Sequence, residues 1–144
     1  MQEKIQAILD NKGPFVHAVS PWATVATAVV EMNAQHIGSL VVLEEERLFG
    51  IFTERDVLVR VVAAQRDPAT TPVGEVMTRD VVTIRPDTLV EEAMQLISRR
   101  RCRHLPVLDG GRLVGLVSSG DLTQWLVRHH EAEISDLVGY VTQG

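Results

Sequence analysis

Two short segments carry the groups best suited to chemistry. Gly50-Ile51-Phe52-Thr53-Glu54-Arg55-Asp56 and Gly115-Leu116-Val117-Ser118-Ser119-Gly120-Asp121 both read glycine, two apolar residues, a hydroxyl, two variable residues and an aspartate. At a helix start this pattern can be a cap, the hydroxyl accepting a backbone N–H and the acid reaching back. The same helix start is also an anion site, because its free N–H groups and positive dipole end welcome a phosphate. A glycine beforehand lets a ligand approach the backbone. Aspartate has the wrong sign for phosphate but suits a ribose, whose adjacent hydroxyls can both donate to one carboxylate. The readings are compatible, and the repetition raises the functional one.

A second candidate is the basic run Arg99-Arg100-Arg101 with Arg103-His104. Arg99 and Arg100 read as cations at a helix C-terminus, which leaves Arg103 for a phosphate. His104 alone reads equally well as a half-buried histidine. Cys102 has arginine neighbours that could activate its thiol, but a small apolar residue entering a strand is the better account. His129-His130-Glu131 is solvated surface, since adjacent histidines on a helix point apart and no third ligand is spaced with them. Trp22 and Trp125 read as packing or interface residues. No nucleophile elbow, Cys–His pair, phosphate loop with lysine or metal spacing occurs, so no catalytic residue is nominated.

The elements that must position these groups are duplicated. Residues 16–60 moved forward by 65 positions fall on 81–125 without a gap. In each copy a short strand (Val16–Val19, Val81–Ile84) precedes a proline (Pro21, Pro86). A helix follows, with Val25, Ala28, Val29 and Met32, or Val90, Ala93, Met94 and Ile97, at helical spacing and expected to be buried. Leu40–Leu43 and Leu48–Phe52 flank Glu44-Glu45-Glu46, as Leu105–Leu108 and Leu113–Val117 flank Asp109-Gly110-Gly111, which is hairpin grammar. A second helix starts at Thr53 and at Ser118. The expected fold is therefore α/β (α+β), two β-α-β-β-α repeats related by a pseudo-twofold axis. Its parts are 1–64 with a lead-in helix, a 65–72 linker rich in turn residues, 73–128, and a 129–144 tail. The tail either packs back as a short helix or contacts a partner chain.

The ordered set of G-h-h-[ST]-x-x-D twice, Arg103-His104-Leu105-Pro106-Val107, the pre-helix prolines and Val76-Met77-Thr78 resembles a tandem pair of CBS motifs, a Bateman module, over about residues 5–128. The resemblance implies a regulatory module whose clefts between repeats accept AMP, ADP or ATP, and in some members NAD or S-adenosylmethionine. It assigns Asp56 and Asp121 to the ribose diol, and Thr53 and Ser118 to phosphate. Ala18 and Ile37-Gly38 would lie against adenine in one cleft, Thr83 and Cys102 in the other, with Arg103 and His104 reaching phosphates and Pro106 part of the same motif. Gly38-Ser39 replaces the Arg103-His104 pair in the first copy, which has Arg55 where the second has Gly120, so the clefts should not be equivalent. The resemblance also implies a homodimer through helical faces and a target protein that it does not name.

Composition bounds the rest. With 144 residues, 45% hydrophobic and 23% charged, the chain can bury one sizeable core. A net charge of −5 and few aromatics disfavour nucleic acid and anionic membrane as partners. No run approaches the ~20 apolar residues of a membrane span. A single cysteine and no signal-peptide core fit a cytoplasmic protein. The alternative to a nucleotide sensor is a dimeric interaction adaptor that needs no nucleotide.

Overall fold

The computed structural model describes residues 3–13 and 15–129, so all but the first residue of the 129–144 tail, His130 and Glu131 included, lies outside the described residues. In chain order the elements are α1 (Ile5–Lys12), β1 (Ala18–Val19), α2 (Val25–Gln35), β2 (Ser39–Glu44) and β3 (Arg47–Thr53). A helical turn Glu54–Asp56 then runs into a π-helical stretch Val57–Val62, together α3. There follow α4 (Val73–Val76), α5 (Val90–Arg100), β4 (His104–Asp109), β5 (Arg112–Ser118) and a helix over 119–129, α6. The i→i+5 character of α3 is visible in Ala63 N–H to Leu58 O at 2.9 Å and Arg66 N–H to Val61 O at 2.9 Å.

The two repeats match in detail. Both hairpins carry a register shift at the same place, between Val42 and Leu43 and between Val107 and Leu108. Both long helices end on a left-handed residue, His36 at φ 55° and Arg101 at φ 52°. Edge pairing differs. Ala18–Val19 forms a parallel strand against Val41–Val42, but the expected strand Val81–Ile84 is reduced to one bridge from Ile84 to Val107. The cause is Pro106. In the first repeat Val41 N–H donates to His17 O at 3.1 Å, and the equivalent position in the second is a proline with no N–H to give.

The lead-in segments are exchanged between repeats. Ile5, Ile8 and Leu9 of α1 pack with Ile84, Val90, Ala93, Leu105, Val107, Val117 and Leu122 in the core of the second repeat. Val73, Val76 and Met77, which lead into the second repeat, pack with Val25, Ala28, Met32, Leu40, Val42 and Phe52 in the core of the first. Backbone bonds reinforce both crossings: Val73 N–H to Ala23 O at 2.8 Å and Gly74 N–H to Pro21 O at 2.8 Å, against Ile5 N–H to Thr88 O at 2.8 Å and Gln6 N–H to Pro86 O at 2.9 Å. The 65–72 stretch is ordered rather than slack. Thr71 O and Pro68 O accept the otherwise orphan N–H groups of Val25 and Ala26 at the start of α2, each at 2.9 Å.

The shared motif glycines serve these crossings. A Cβ on Gly50 would lie 2.5 Å from Thr78 O, and one on Gly115 would lie 2.5 Å from Leu9 Cδ2. Glycine is needed there for chain against chain, whatever a ligand does. One expectation about the core fails at one residue per helix. Val29 and Met94 are each 37% exposed, because the stripe facing the sheet is Val25-Ala28-Met32 in α2 and Val90-Ala93 in α5, with Ile97 half-buried at its edge. The fifth residue of each helix lies on the flank.

Candidate functional site

Both hydroxyl–carboxylate motifs fold as caps. Thr53 N–H donates to Asp56 Oδ2 at 3.0 Å while Asp56 N–H donates to Thr53 Oγ1 at 3.3 Å. Ser118 N–H donates to Asp121 Oδ2 at 2.8 Å while Asp121 N–H donates to Ser118 Oγ at 3.1 Å. Each pair satisfies donors that a helix start leaves orphaned. The β2–β3 and β4–β5 hairpins deliver the hydroxyls to these helix starts. A second matched pair fastens them: Glu54 N–H donates to Gly38 O at 3.1 Å, and Ser119 N–H to Arg103 O at 2.8 Å.

Beyond the caps the two carboxylates differ. Asp56 is buried, its side chain 6% exposed, and both oxygens are occupied. Thr78 Oγ1 donates to Oδ1 and Oδ2 at 3.0 and 3.3 Å, Thr53 Oγ1 reaches Oδ2 at 3.2 Å, and Arg60 Nε lies 3.8 Å from Oδ1. The Asp121 side chain is 22% exposed. Its partners Ser118 N and Lys12 Nζ, the latter at 2.6 Å, both fall on Oδ2. Lys12 Nζ also donates to Leu116 O at 2.6 Å. Burial works to raise the Asp121 pKa, but the bonds from Lys12 and Ser118 outweigh it and hold the carboxyl below its ordinary value.

His104 stands opposite Ser118 in the β4–β5 ladder. Burial lowers its pKa, Lys12 and Arg103 press the same way, and Asp121 and Glu54 oppose them. Glu54 belongs to the first repeat, so its field reaches the second repeat's site. Its carboxylate also lies against Gly38, where an added Cβ would meet it at 3.3 Å.

The structure thus joins Ser118 and Asp121 with Lys12, with His104 opposite Ser118 and the Arg103 carbonyl on Ser119, and joins Thr53 and Asp56 with Thr78, with Gly38 held against Glu54. Other nominated residues lie apart. Ala18 and Arg55 are exposed, Ile37 packs against the first core, and Pro106 is buried in β4, its carbonyl accepting from Ile84 N–H at 3.0 Å. Thr83 is exposed and lines a cavity of about 310 Å³ with Arg47, Phe49, Gly50, Arg79 and Leu108, which neither Ser118 nor Asp121 touches. Cys102 packs against the second core, and burial raises its pKa over the opposing backbone bond and Arg100, the opposite of an activated thiolate. His129 stacks on Trp125 with centroids 3.8 Å apart, and no metal-holding cluster occurs among the described residues.

Lys12, Thr78, Arg60 and Glu54 were not nominated from the sequence as site residues. Lys12 lies outside the duplicated block and meets Asp121 across 109 positions, so no local pattern marks it. Thr78 was visible only as part of Val76-Met77-Thr78. Arg60 stands four residues after Asp56, a helical spacing for an ion pair that was there to read.

CBS domains match residues 14–63 and 73–128. The chain belongs to the CBS-domain family. It is 35% identical over 149 residues to the mitochondrial CBS domain-containing protein CBSX3 of Arabidopsis thaliana, covering 97% of this chain and 72% of that one. A Burkholderia ambifaria protein described as a signal-transduction protein with CBS domains is 36% identical, with a TM-score of 0.83 over 88% of this chain and 95% of that one. A hexameric CBS-CP12 protein from bloom-forming cyanobacteria is 32% identical, with a TM-score of 0.73 over 85% and 71%. The tandem CBS architecture is a general regulatory module rather than a catalytic one. No helix among the described residues is long and apolar enough to cross a membrane.

Proposed function

We propose that this CBS tandem senses energy or redox state by binding an adenine nucleotide in the second repeat's cleft and passes the occupancy to a partner protein. AMP, ADP and ATP are the leading ligands, with NAD and S-adenosylmethionine as further members of the class. The observation that carries this reading is the contrast between the carboxylates. Asp121 reaches solvent at 22%, takes its N–H and ammonium partners on one oxygen, and acts with Lys12 and Arg103 on the neighbouring His104. Asp56 is buried with both oxygens engaged. A ribose donating to Asp121 would bring its phosphate toward the Lys12 ammonium, so the second cleft is the functional one and the first is mainly structural.

Binding needs only differential affinity between two conformations to become a signal. Calorimetric titration with AMP, ATP and NAD, run beside Asp121→Ala, tests the reading. Loss of charge-assisted bonds from the diol predicts a loss of about ten- to a hundredfold in affinity. Equal affinity in the variant rejects the assignment.

The second reading is a dimeric adaptor that needs no nucleotide. Leu58, Val59 and Val62 on α3, with Val30 on α2, are each more than half exposed, an apolar surface suited to a homodimer. The hexameric relative supports self-association. Failure of every adenine ligand to raise the melting temperature favours this reading, because a ligand specific for the folded state must stabilise it.

A further inference from the structure

Asp121 receives its counter-charge from a distant element. Asp56 has Arg60 one helical turn along, whereas Trp125 occupies that position after Asp121. The cation instead comes from Lys12, the last residue of α1, whose ammonium is shared at 2.6 Å between Asp121 Oδ2 and Leu116 O. Its place is fixed twice over. Leu9, one turn earlier, packs on Gly115, and Gly13 ends the helix at φ 96° with its N–H on Leu9 O at 2.8 Å.

We propose that Lys12 sets the ligand selectivity of the second cleft, occupying an oxygen of Asp121 that a ribose diol would use and yielding it favourably only to a ligand that brings its own anion. The inference rests on the nucleotide reading above and adds a residue and a criterion to it. A diol that engages both oxygens of Asp121 must share or displace the ammonium on Oδ2. With a nucleoside the displaced ammonium loses a charge-assisted partner in a site where its side chain is only 34% exposed. With a nucleotide the flexible lysine stem swings onto the phosphate, and the lost pair is replaced by another. Lys12 therefore penalises neutral ligands rather than simply attracting anionic ones. That separates it from Arg103, whose removal should cost nucleotides affinity and leave nucleosides alone.

Lys12→Met keeps the stem and removes the charge. In calorimetric titrations of the full chain with adenosine and AMP, the variant should bind adenosine about tenfold more tightly and AMP no more tightly, so their affinity ratio collapses by at least that factor. An unchanged or widened ratio overturns the proposal while leaving the nucleotide reading standing. Absence of binding by adenosine, AMP, ADP, ATP, NAD and S-adenosylmethionine in both wild type and variant rejects that reading, and the proposal with it. Should the variant not fold, NMR of the wild-type Lys12 Cε and Nζ during AMP titration decides. A shift that saturates with those of Ser118 and Asp121 supports the exchange, and an unmoved Lys12 at saturation overturns it.

Discussion

Thr78 Oγ1 donates to both carboxylate oxygens of Asp56, at 3.0 and 3.3 Å, across 22 residues of chain. The residue that caps α3 in the first repeat is thereby held by the segment entering the second. Replacing Asp56 with alanine strands the Thr53 N–H and the Thr78 hydroxyl, so it should cost about 1–3 kcal/mol of stability. Thr78→Val should cost less and sum non-additively with it. Urea denaturation of the single and double variants measures the coupling. Strict additivity would show that the bond contributes nothing.

The motif glycines should tolerate alanine unequally. At Gly50 the new methyl meets a backbone carbonyl, Thr78 O, which is itself bonded to Ile51 N–H at 3.0 Å. At Gly115 it meets the end of the Leu9 side chain, which lies in the second core but yields more readily than a backbone carbonyl. Overpacking of about 1–3 kcal/mol is expected for Gly50→Ala, with Gly115→Ala clearly milder. Melting temperatures of the two variants give the order.

Acid should weaken the second repeat. The folded pKa of Asp121 lies below its ordinary value, so its contribution is complete above the unfolded pKa of about 4 and is lost as pH falls through the folded one. His104 is also depressed, so the unfolded chain binds its proton first and stability falls as pH drops from about 6.5 through the folded value. His104→Gln should flatten the upper part of that decline and Asp121→Asn the lower part. Stability against pH, with an NMR titration of His104, checks both.

Pro106→Val restores the N–H that Val41 uses in the first repeat. The new amide should become protected from hydrogen exchange by bonding Val82 O, lengthening the single Ile84–Val107 bridge into a short parallel strand. Rapid exchange at position 106 would show that more than the proline keeps that edge apart.

Much of this architecture was legible because it is periodic and repeated. Helix starts, hairpins and caps follow from residues close in sequence, and the duplicated Thr53-Asp56 and Ser118-Asp121 announced themselves through spacing. What escaped was non-local. Nothing near Asp121 points to Lys12, and nothing in α1 says that Ile5, Ile8 and Leu9 belong to the second core rather than the first. The shortened strand at Val81–Ile84 was foreseeable from Pro106, since a missing N–H can be read from the sequence once the neighbouring strand is known. Val29 and Met94 were misjudged because helical spacing gives a stripe but not its width.

The exchanged lead-ins bear on whether the halves can exist apart. Each repeat's core is closed by an arm that precedes the other repeat, the clasp that two identical chains would make by trading arms. Joining the two through 65–72 turns that clasp into an internal one. The present chain cannot then be divided at its linker into self-sufficient halves. Cut there, each piece would carry the other's missing wedge, and the two would regain their cores only by finding each other again.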